Sequence, residues 1–182
     1  KLNLKKNKFF IFSCHREEII DSEEMFTKFI NTLNKLANKY KHKIIISAHP
    51  RTLKKLNNSS VDLNSLIQIH PPFGFFDYVN LQINAFVTLS DSGTINEEAS
   101  ILNIPAINLR ETNERPEAME EGSSLMVGMD IDRIFQSIEL LTDKNRVNKI
   151  NKVSDYNSDN FSERVVRTIY SHINYVNTYI WH

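Results

Sequence analysis

The stretch AFVTLSDSGTINEEASIL, residues 85–102, is the part of the sequence that decides the fold. It begins with a short apolar run, Ala85–Leu89, of the kind found in strands that are covered on both faces. A Ser-Gly turn follows this run, and Thr94–Leu102 is a helix candidate. A strand that leads through a tight turn into a helix is the repeating unit of a doubly wound parallel sheet.

The same alternation of short apolar runs and helical stretches continues on both sides of residues 85–102. The predicted strands are Phe9–Ser13, Lys43–Ala48, Leu66–Ile69, Ala85–Leu89, Ala106–Leu109 and Leu125–Val127. The predicted helices run from Asp21 or Ser22 to about Tyr40, and over Phe76–Asn84, Thr94–Leu102, Ile131–Leu141 and Phe161–Tyr179, the last with Ser162 as a candidate cap. The polar stretch Thr142–Asn160 is interpreted as a loop or a frayed helix end. We therefore expect an α/β fold built on a Rossmann-like, doubly wound parallel sheet.

The composition is that of an ordinary globular domain. The chain has 182 residues, of which 41% are hydrophobic and 24% are charged. Its 22 basic and 22 acidic residues cancel, which removes a bulk electrostatic reason to bind nucleic acid or an anionic membrane. A single cysteine, Cys14, excludes an internal disulfide and a cysteine-rich zinc site, in keeping with a cytoplasmic location. No apolar stretch is long enough to span a bilayer, and the first residue is Lys1, so we expect the sequence to begin inside a longer or processed protein.

The turn at Asp91–Thr94 is the first candidate site. A helix N-terminus presents backbone N–H groups and a positive dipole end, which together suit a phosphate or a diphosphate. Ser92 could add a hydroxyl donor, and Glu98, one helical turn further on, could accept hydrogen bonds from ribose hydroxyls. The alternative is a plain helix cap by Asp91 or Ser92, with Glu97 and Glu98 as solvated acids of the first turn.

Four other polar or aromatic stretches also follow predicted strands. They are Ser13–Glu18 with His15, His49–Arg51, Pro72–Tyr78 and Arg110–Glu117. Their functional interpretations are acid–base or phosphate chemistry at His15, a bidentate hold on a diphosphate or carboxylate by Arg110 and Arg115, and stacking of a base on the aromatic residues. The structural alternatives are a hydrogen-bonded loop histidine, a strand terminator at Pro50, core packing of the aromatic residues, and a charged helix start. All five stretches fall at the carboxyl ends of predicted strands, where ligands gather in an open parallel sheet, so a single crevice could collect them.

Three motifs in these stretches resemble the non-hydrolysing UDP-N-acetylglucosamine 2-epimerase family. They are His15-Arg16-Glu17-Glu18, Asp91-Ser92-Gly93-Thr94-Ile95-Asn96-Glu97-Glu98-Ala99 and Arg110-Glu111-Thr112-Asn113-Glu114-Arg115-Pro116-Glu117-Ala118. The resemblance runs from Phe10 to the tail at Tyr179–Trp181. With its aromatic stretch Phe73–Tyr78, the chain is most similar to the capsule and O-antigen branch that forms UDP-N-acetyl-L-fucosamine. It departs from many members at Glu17, where they carry Arg, and at Thr94, where they carry Gly.

The resemblance implies a place in a larger architecture. Residues 1–182 would form the C-terminal, UDP-binding domain of a glycosyltransferase-B-like two-domain fold. Residues 160–182 would be a helix and tail that pack on an N-terminal domain. The family further implies a homodimer in the full-length form, and neither a cofactor nor a metal is required.

The resemblance also implies roles for individual residues. Ser92, Gly93 and Thr94 would bind the diphosphate, with Arg115 near it. Glu98 would bind the ribose, and Tyr78 would lie near the uracil. His15 would be catalytic, beside a substrate-binding Arg16. His49 would belong to a possible second nucleotide-sugar site.

The reaction that the family implies inverts C2 of a UDP-2-acetamido sugar, either UDP-GlcNAc or a UDP-2-acetamido-2,6-dideoxyhexose. The C2 proton is removed and UDP is expelled to give a 2-acetamidoglycal, after which UDP adds back and C2 is protonated on the other face. Much of the proton transfer would come from carboxylates of the N-terminal domain, so we expect the isolated chain to bind UDP weakly without turnover. The alternatives are a glycosyltransferase of the same fold, a hydrolysing 2-epimerase, and a non-catalytic nucleotide-sugar-binding domain.

Overall fold

A computed structural model of the chain describes residues 2–59, 61–112, 115–143 and 152–181. The described residues form six strands: β1 Phe9–Ser13, β2 Lys43–Ser47, β3 Ile67–His70, β4 Val87–Ser90, β5 Ala106–Asn108 and β6 Leu125–Met126. Their helices are α1 Glu17–Ile20, α2 Glu23–Tyr40, α3 Pro50–Asn58, α4 Phe75–Asn84, α5 Ile95–Leu102, α6 Pro116–Glu120, α7 Ile131–Thr142 and α8 Phe161–Tyr179. A short 3₁₀ turn at Ser154–Tyr156 precedes α8.

The strands make one parallel sheet in the order β3-β2-β1-β4-β5-β6. Phe10 of β1 pairs with Ile44 on one side and with Val87 on the other. The chain therefore builds outward from β1 to β3, returns to the centre, and continues in the opposite direction from β4. At this reversal the connections after β1 and β4 leave the sheet toward opposite faces, which opens a crevice above the two strands. The predicted Rossmann-like, doubly wound parallel sheet is confirmed.

Strand β1 is buried on both faces, which explains its uninterrupted apolar sequence. Phe10 and Phe12 belong to the larger core cluster, which includes Phe29 of α2, whereas Phe9 and Ile11 belong to a smaller cluster on the other face. Complete burial of one such side chain stabilises the fold by about 2 kcal/mol. This double burial holds the central strand, and with it the start of the loop at residue 14, in a fixed position.

The long helices follow the sequence prediction, but their caps agree with it only in part. Ser22 caps α2, because its side chain accepts a hydrogen bond from the amide of Met25. The predicted cap at Ser162 is wrong: α8 begins at Phe161, as predicted, but its N-cap position belongs to Asn160, so Ser162 lies inside the first turn.

Three short helices, α1, α3 and α6, were not predicted. Two of them start with proline, at Pro50 and Pro116, where the missing N–H costs nothing because the first helical amides have no partner in the helix. The interpretation of Pro50 as a strand terminator therefore missed the helix that it opens.

Helix α8 differs from the rest of the chain in its exposure. Its predicted apolar residues are largely accessible, for example Ile169 at 55% and Ile173 at 42%. That residues 160–182 pack on another domain remains a prediction. Of the polar stretch predicted at 142–160, residues 144–151 lie outside the described part. Among the described helices, none has both the length and the apolar character needed to cross a membrane.

Candidate functional site

Asp91 ties together the loops that follow β1 and β4. Its side chain is fully buried, and Oδ2 accepts the amide N–H groups of His15 at 2.8 Å and Arg16 at 2.9 Å. Its own amide donates to the carbonyl of Ser13 at 3.1 Å. The interpretation of Asp91 as a plain helix cap is therefore wrong, since its carboxylate binds the β1 loop and the N-cap position of α5 belongs to Thr94.

The same carboxylate orients the ring of His15. Nδ1 of His15 lies 3.1 Å from Oδ1 of Asp91, while the side chain keeps 45% of its surface exposed. The hydrogen bond to Asp91 raises the pKa of His15, and this outweighs partial burial, which lowers it. Burial alone would raise the pKa of Asp91, but the hydrogen bonds from the ring and from the two amides bring it below its usual value. His15 thus uses Nδ1 for Asp91 and has Nε2 available to exchange a proton.

Cys14 offers no reactive thiolate in this loop. It is fully buried in the larger core cluster. Burial raises the pKa of its thiol well above the usual value, and the negative charge of Asp91 raises it further. The thiol therefore stays protonated, which leaves the neighbouring imidazole as the group that can transfer protons.

Gly93 allows two guanidinium groups to approach the N-terminus of α5. A Cβ at this position would lie 2.6 Å from Nη1 of Arg115 and 3.4 Å from Nη1 of Arg110. Arg115 is held by Oε1 of Glu97, 2.5 Å from its Nε, and Arg110 is buried, with 7% of its surface exposed. Two guanidinium groups beside a helix N-terminus can bind the oxygens of a diphosphate. Residues 113 and 114, inside the predicted Arg110–Glu117 stretch, lie outside the described residues.

A chain of hydrogen bonds runs along the first turns of α5. The hydroxyl of Ser92 lies 3.0 Å from that of Thr94, which donates to Oε1 of Glu98 at 2.7 Å. Oε2 of Glu98 accepts from Nε2 of Gln82 at 2.5 Å. Glu97 and Glu98 are both partly buried and engaged, so the alternative that they are solvated acids of the first turn is wrong.

Tyr78 belongs in part to the core and in part to the site. Its ring packs against the small cluster around Phe9 and Ile11. Burial raises the pKa of Tyr78 to about 12, helped by the negative charge of Glu98, while the adjacent Ser13 hydroxyl acts in the opposite direction. The hydroxyl therefore stays protonated near Glu98. Its proximity to uracil remains a prediction.

His49 lies beside His15, although 34 residues separate them in the sequence. The two ring centroids are 6.4 Å apart. His49 caps α3, since its Nδ1 accepts the amide N–H of Arg51. Arg51 in turn bonds Glu17 and Asp21, so α3 is tied to the helix that follows the β1 loop. The structure thus places the two histidines next to each other at the carboxyl ends of β1 and β2. A second nucleotide-sugar site at His49 stays a prediction.

A crevice of about 300 Å³ opens between the loops after β1 and β5. Its walls include Arg16, Glu18, Asp91, Arg110 and Thr112. Sequence reasoning missed Asp91 as the connection between the loops and Gln82 as a partner of Glu98. It had already paired Arg110 with Arg115 as two guanidinium groups for a diphosphate or carboxylate. Within the described ranges, no group of three or more His, Cys, Asp or Glu side chains is arranged to hold a metal ion.

Comparison with known proteins places these features in a family. The family model for UDP-N-acetylglucosamine 2-epimerase matches residues 1–170. A protein of Methanococcus maripaludis named UDP-N-acetylglucosamine 2-epimerase is 38% identical over 146 residues, which cover 78% of this chain and 40% of that protein.

Two solved structures are similar along most of the chain. The UDP-N-acetylglucosamine 2-epimerase from Rickettsia bellii superposes with a TM-score of 0.81 at 38% identity, covering 99% of this chain and 48% of that one. The Methanocaldococcus jannaschii UDP-GlcNAc 2-epimerase, solved in complex with UDP-GlcNAc and UDP, gives a TM-score of 0.78 at 32% identity, with 90% and 45% covered. The fold matches these glycosyltransferase-B-like structures, and the chain spans a little under half the length of each.

Proposed function

Because this chain belongs to the UDP-N-acetylglucosamine 2-epimerase family, we propose that it is the C-terminal, nucleotide-binding half of a UDP-N-acetylhexosamine 2-epimerase. The observation that carries the proposal is the cradle at Gly93, where the N-terminus of α5 meets the guanidinium groups of Arg110 and Arg115. The substrate is UDP-GlcNAc or a UDP-2-acetamido-2,6-dideoxyhexose, used for capsule or O-antigen precursors. The full-length enzyme is a cytoplasmic homodimer, as the family resemblance implies.

The nucleotide lies along α5 in this proposal. The diphosphate binds at Ser92, Gly93 and Thr94, against Arg115, where positive charge and a helix N-terminus converge. The ribose hydroxyls donate to Glu98, whose carboxylate is already oriented. The base extends toward Tyr78, which lies near Glu98.

The reacting carbons lie near His15 and Arg16, on the other side of Asp91. A base removes the C2 proton, the electron pair forms the C1–C2 double bond of the glycal, and the C1–O bond breaks as its electrons leave with UDP. The guanidinium groups stabilise the negative charge that grows on the departing diphosphate. Reversal of these steps with protonation of C2 from the other face inverts that carbon.

His15 supplies one of the two proton-transfer groups. Its Nδ1 lies 3.1 Å from Oδ1 of Asp91, and the hydrogen bond to this carboxylate raises the pKa of His15, so Nε2 can donate a proton or accept one. Inversion also needs a group on the opposite face of C2. We assign that group to carboxylates outside this chain, so the isolated chain binds UDP weakly and does not turn over.

Calorimetry with UDP tests the binding half of the proposal. UDP and UDP-GlcNAc should bind this chain in the micromolar to millimolar range, whereas GDP should bind at least tenfold more weakly. Arg115→Ala should weaken UDP binding by about 10- to 100-fold, because a charge-assisted hydrogen bond contributes about 1.5–3 kcal/mol. Lys54→Ala, on the exposed face of α3, is the matched control and should have no effect. Equal affinity for UDP and GDP would contradict the nucleotide assignment.

NMR in D₂O tests the reaction. A form of the protein that turns over should place deuterium at C2 of UDP-GlcNAc and form the C2 epimer. Release of free sugar with UDP would instead identify a hydrolysing enzyme, and sugar transfer to an acceptor would identify a glycosyltransferase. Nucleotide binding without turnover in every length of the protein would favour a non-catalytic binding domain. If this chain alone exchanged deuterium at C2, the proposal that the second proton-transfer group lies outside the chain would be refuted.

A further inference from the structure

Gln82 is a buried amide in the last turn of helix α4. Only 1% of its surface is exposed, and its Nε2 donates to Oε2 of Glu98 at 2.5 Å. In the described part of the chain its Oε1 is buried without a hydrogen-bond partner. An amide in this environment is less favourable for stability than an apolar side chain of the same shape, because burial of an unpaired carbonyl is unfavourable. Among the described contacts of the Gln82 side chain, the hydrogen bond to Glu98 is the one that an apolar residue could not make.

Glu98 receives one donor on each oxygen. Thr94 donates to Oε1 and Gln82 donates to Oε2, from two different helices. A carboxylate has about four lone-pair positions, so two remain for other donors. The two protein donors thus fix the direction in which the remaining positions point.

A glutamate in the first turn of a helix samples several rotamers unless its head group is held. Loss of that freedom on binding weakens affinity, and a side chain that is already fixed avoids this loss. Thr94 is exposed at the rim, whereas Gln82 is enclosed by the fold, so Gln82 is the more rigid of the two donors.

We propose that Gln82 is a positioning residue for nucleotide recognition: its buried amide holds Glu98 in the orientation that accepts the ribose hydroxyls. The inference rests on the proposed function, since it assumes that Glu98 contacts the ribose. It makes the preference for ribose over 2′-deoxyribose depend on a residue that does not itself touch the nucleotide.

The test compares binding of UDP and 2′-deoxyuridine diphosphate to the chain and its variants by calorimetry. Gln82→Met keeps the side-chain length and removes the donor. It should weaken UDP binding by about tenfold and deoxy-UDP binding by less than threefold, so the preference for ribose shrinks. Asn84→Ala, which removes a partly exposed amide that bonds only to Asn80 among the described contacts of the same helix, should leave both affinities unchanged. A purely structural role for Gln82 would lower both affinities alike.

The outcomes separate the two proposals. If Glu98→Gln abolishes the ribose preference while Gln82→Met retains it in full, the role of Gln82 is overturned and the ribose assignment stands. If the wild-type chain does not bind UDP, or shows no ribose preference, both proposals fall.

A second measurement needs no variant and decides the matter if Gln82→Met does not fold. The side-chain NH₂ signals of Gln82 in the ¹⁵N-labelled wild-type chain should shift when UDP saturates the site, and less with deoxy-UDP. Signals that stay unchanged with saturating UDP would overturn the inference.

Discussion

The loops that follow β1 and β4 start from neighbouring strands, yet their side chains are held differently. In the β4 loop and the turn after it, Gly93 is covered by two guanidinium groups and Glu98 is clamped by two donors. In the β1 loop the backbone is fixed by Asp91, but the ring of His15 remains about half exposed. The difference fits the two proposed roles, a prepared nucleotide-binding surface in the β4 loop and a proton-transfer group at His15 that stays accessible to a reacting atom.

Asp91 is the one residue that serves both loops. It is fully buried at the start of the β4 loop, accepts the amide N–H groups of His15 and Arg16, and lies 3.1 Å from the imidazole of His15. Changes on either side of it should therefore have different consequences: those in the β4 loop should alter affinity, and those at His15 should alter turnover.

The largest expected effect is on turnover. In a form of the protein that epimerises UDP-GlcNAc, His15→Ala should lower kcat by about 10²–10⁴-fold, the usual contribution of a general acid or base. UDP affinity should stay within about threefold, because the diphosphate and ribose contacts lie on the β4 side. Steady-state kinetics and calorimetry on the same preparation measure the two quantities. Equal losses in kcat and affinity would show that His15 only binds.

The next effect is on folding. Asp91→Ala removes a buried carboxylate and leaves two amides and an imidazole without their acceptor, so it should lower the free energy of unfolding by about 3 kcal/mol. Urea unfolding followed by circular dichroism measures this value. Asp159→Ala, at an exposed position, should change stability by less than about 0.5 kcal/mol. Similar stabilities for the two variants would contradict the role of Asp91 as the connection between the loops.

A third effect falls on affinity alone. Gly93→Ala should weaken UDP binding by about 30-fold, because the new Cβ displaces the guanidinium of Arg115. The melting temperature should hardly change, since the displaced atom is the end of a flexible side chain. Gly74→Ala, where a Cβ meets nothing within 4 Å, is the matched control. If Gly93→Ala bound UDP as tightly as wild type, the proposed diphosphate site at Gly93 would be contradicted.

The smallest effect is a pH dependence. The folded pKa of His15 is raised, so its pairing with Asp91 stabilises the protein fully below the unfolded pKa of about 6.5, and this contribution is lost as pH rises through the folded pKa. Because the ring is half exposed, we expect less than about 1 kcal/mol. The stability difference between wild type and His15→Gln should be larger at pH 5.5 than at pH 8.5 in urea unfolding. An equal difference at both pH values would contradict this pairing.

The sequence was sufficient for the sheet because each strand is a short apolar run bounded by polar residues. It also predicted that the candidate side chains lie near one edge of the sheet, since parallel strands end there and polar or aromatic stretches follow five of them. The short helices were missed because four to nine residues carry little periodicity and proline was interpreted as a terminator.

Contacts between residues that are far apart in the chain could not be predicted from the sequence. Asp91 bonds a loop 75 residues away, and Gln82 looks like any polar residue of an amphipathic helix until its burial is known. The approach of Arg110 and Arg115 to Gly93 depends on side-chain directions that only the folded chain defines. By contrast, Ser92 and Glu98 could be chosen from the sequence as candidate ligand-binding residues, because a position at a helix N-terminus is visible in the local sequence pattern.

Titration of UDP into the ¹⁵N-labelled chain, followed by NMR, tests the central claim most directly. The account predicts saturable shifts that are largest at the amides of Ser92, Gly93, Thr94 and Glu98, with smaller shifts at His15 and none along the exposed helix α8. Shifts that do not saturate, or that are largest on α8 or at the β6 edge of the sheet, would contradict the claim that this loop is the nucleotide site.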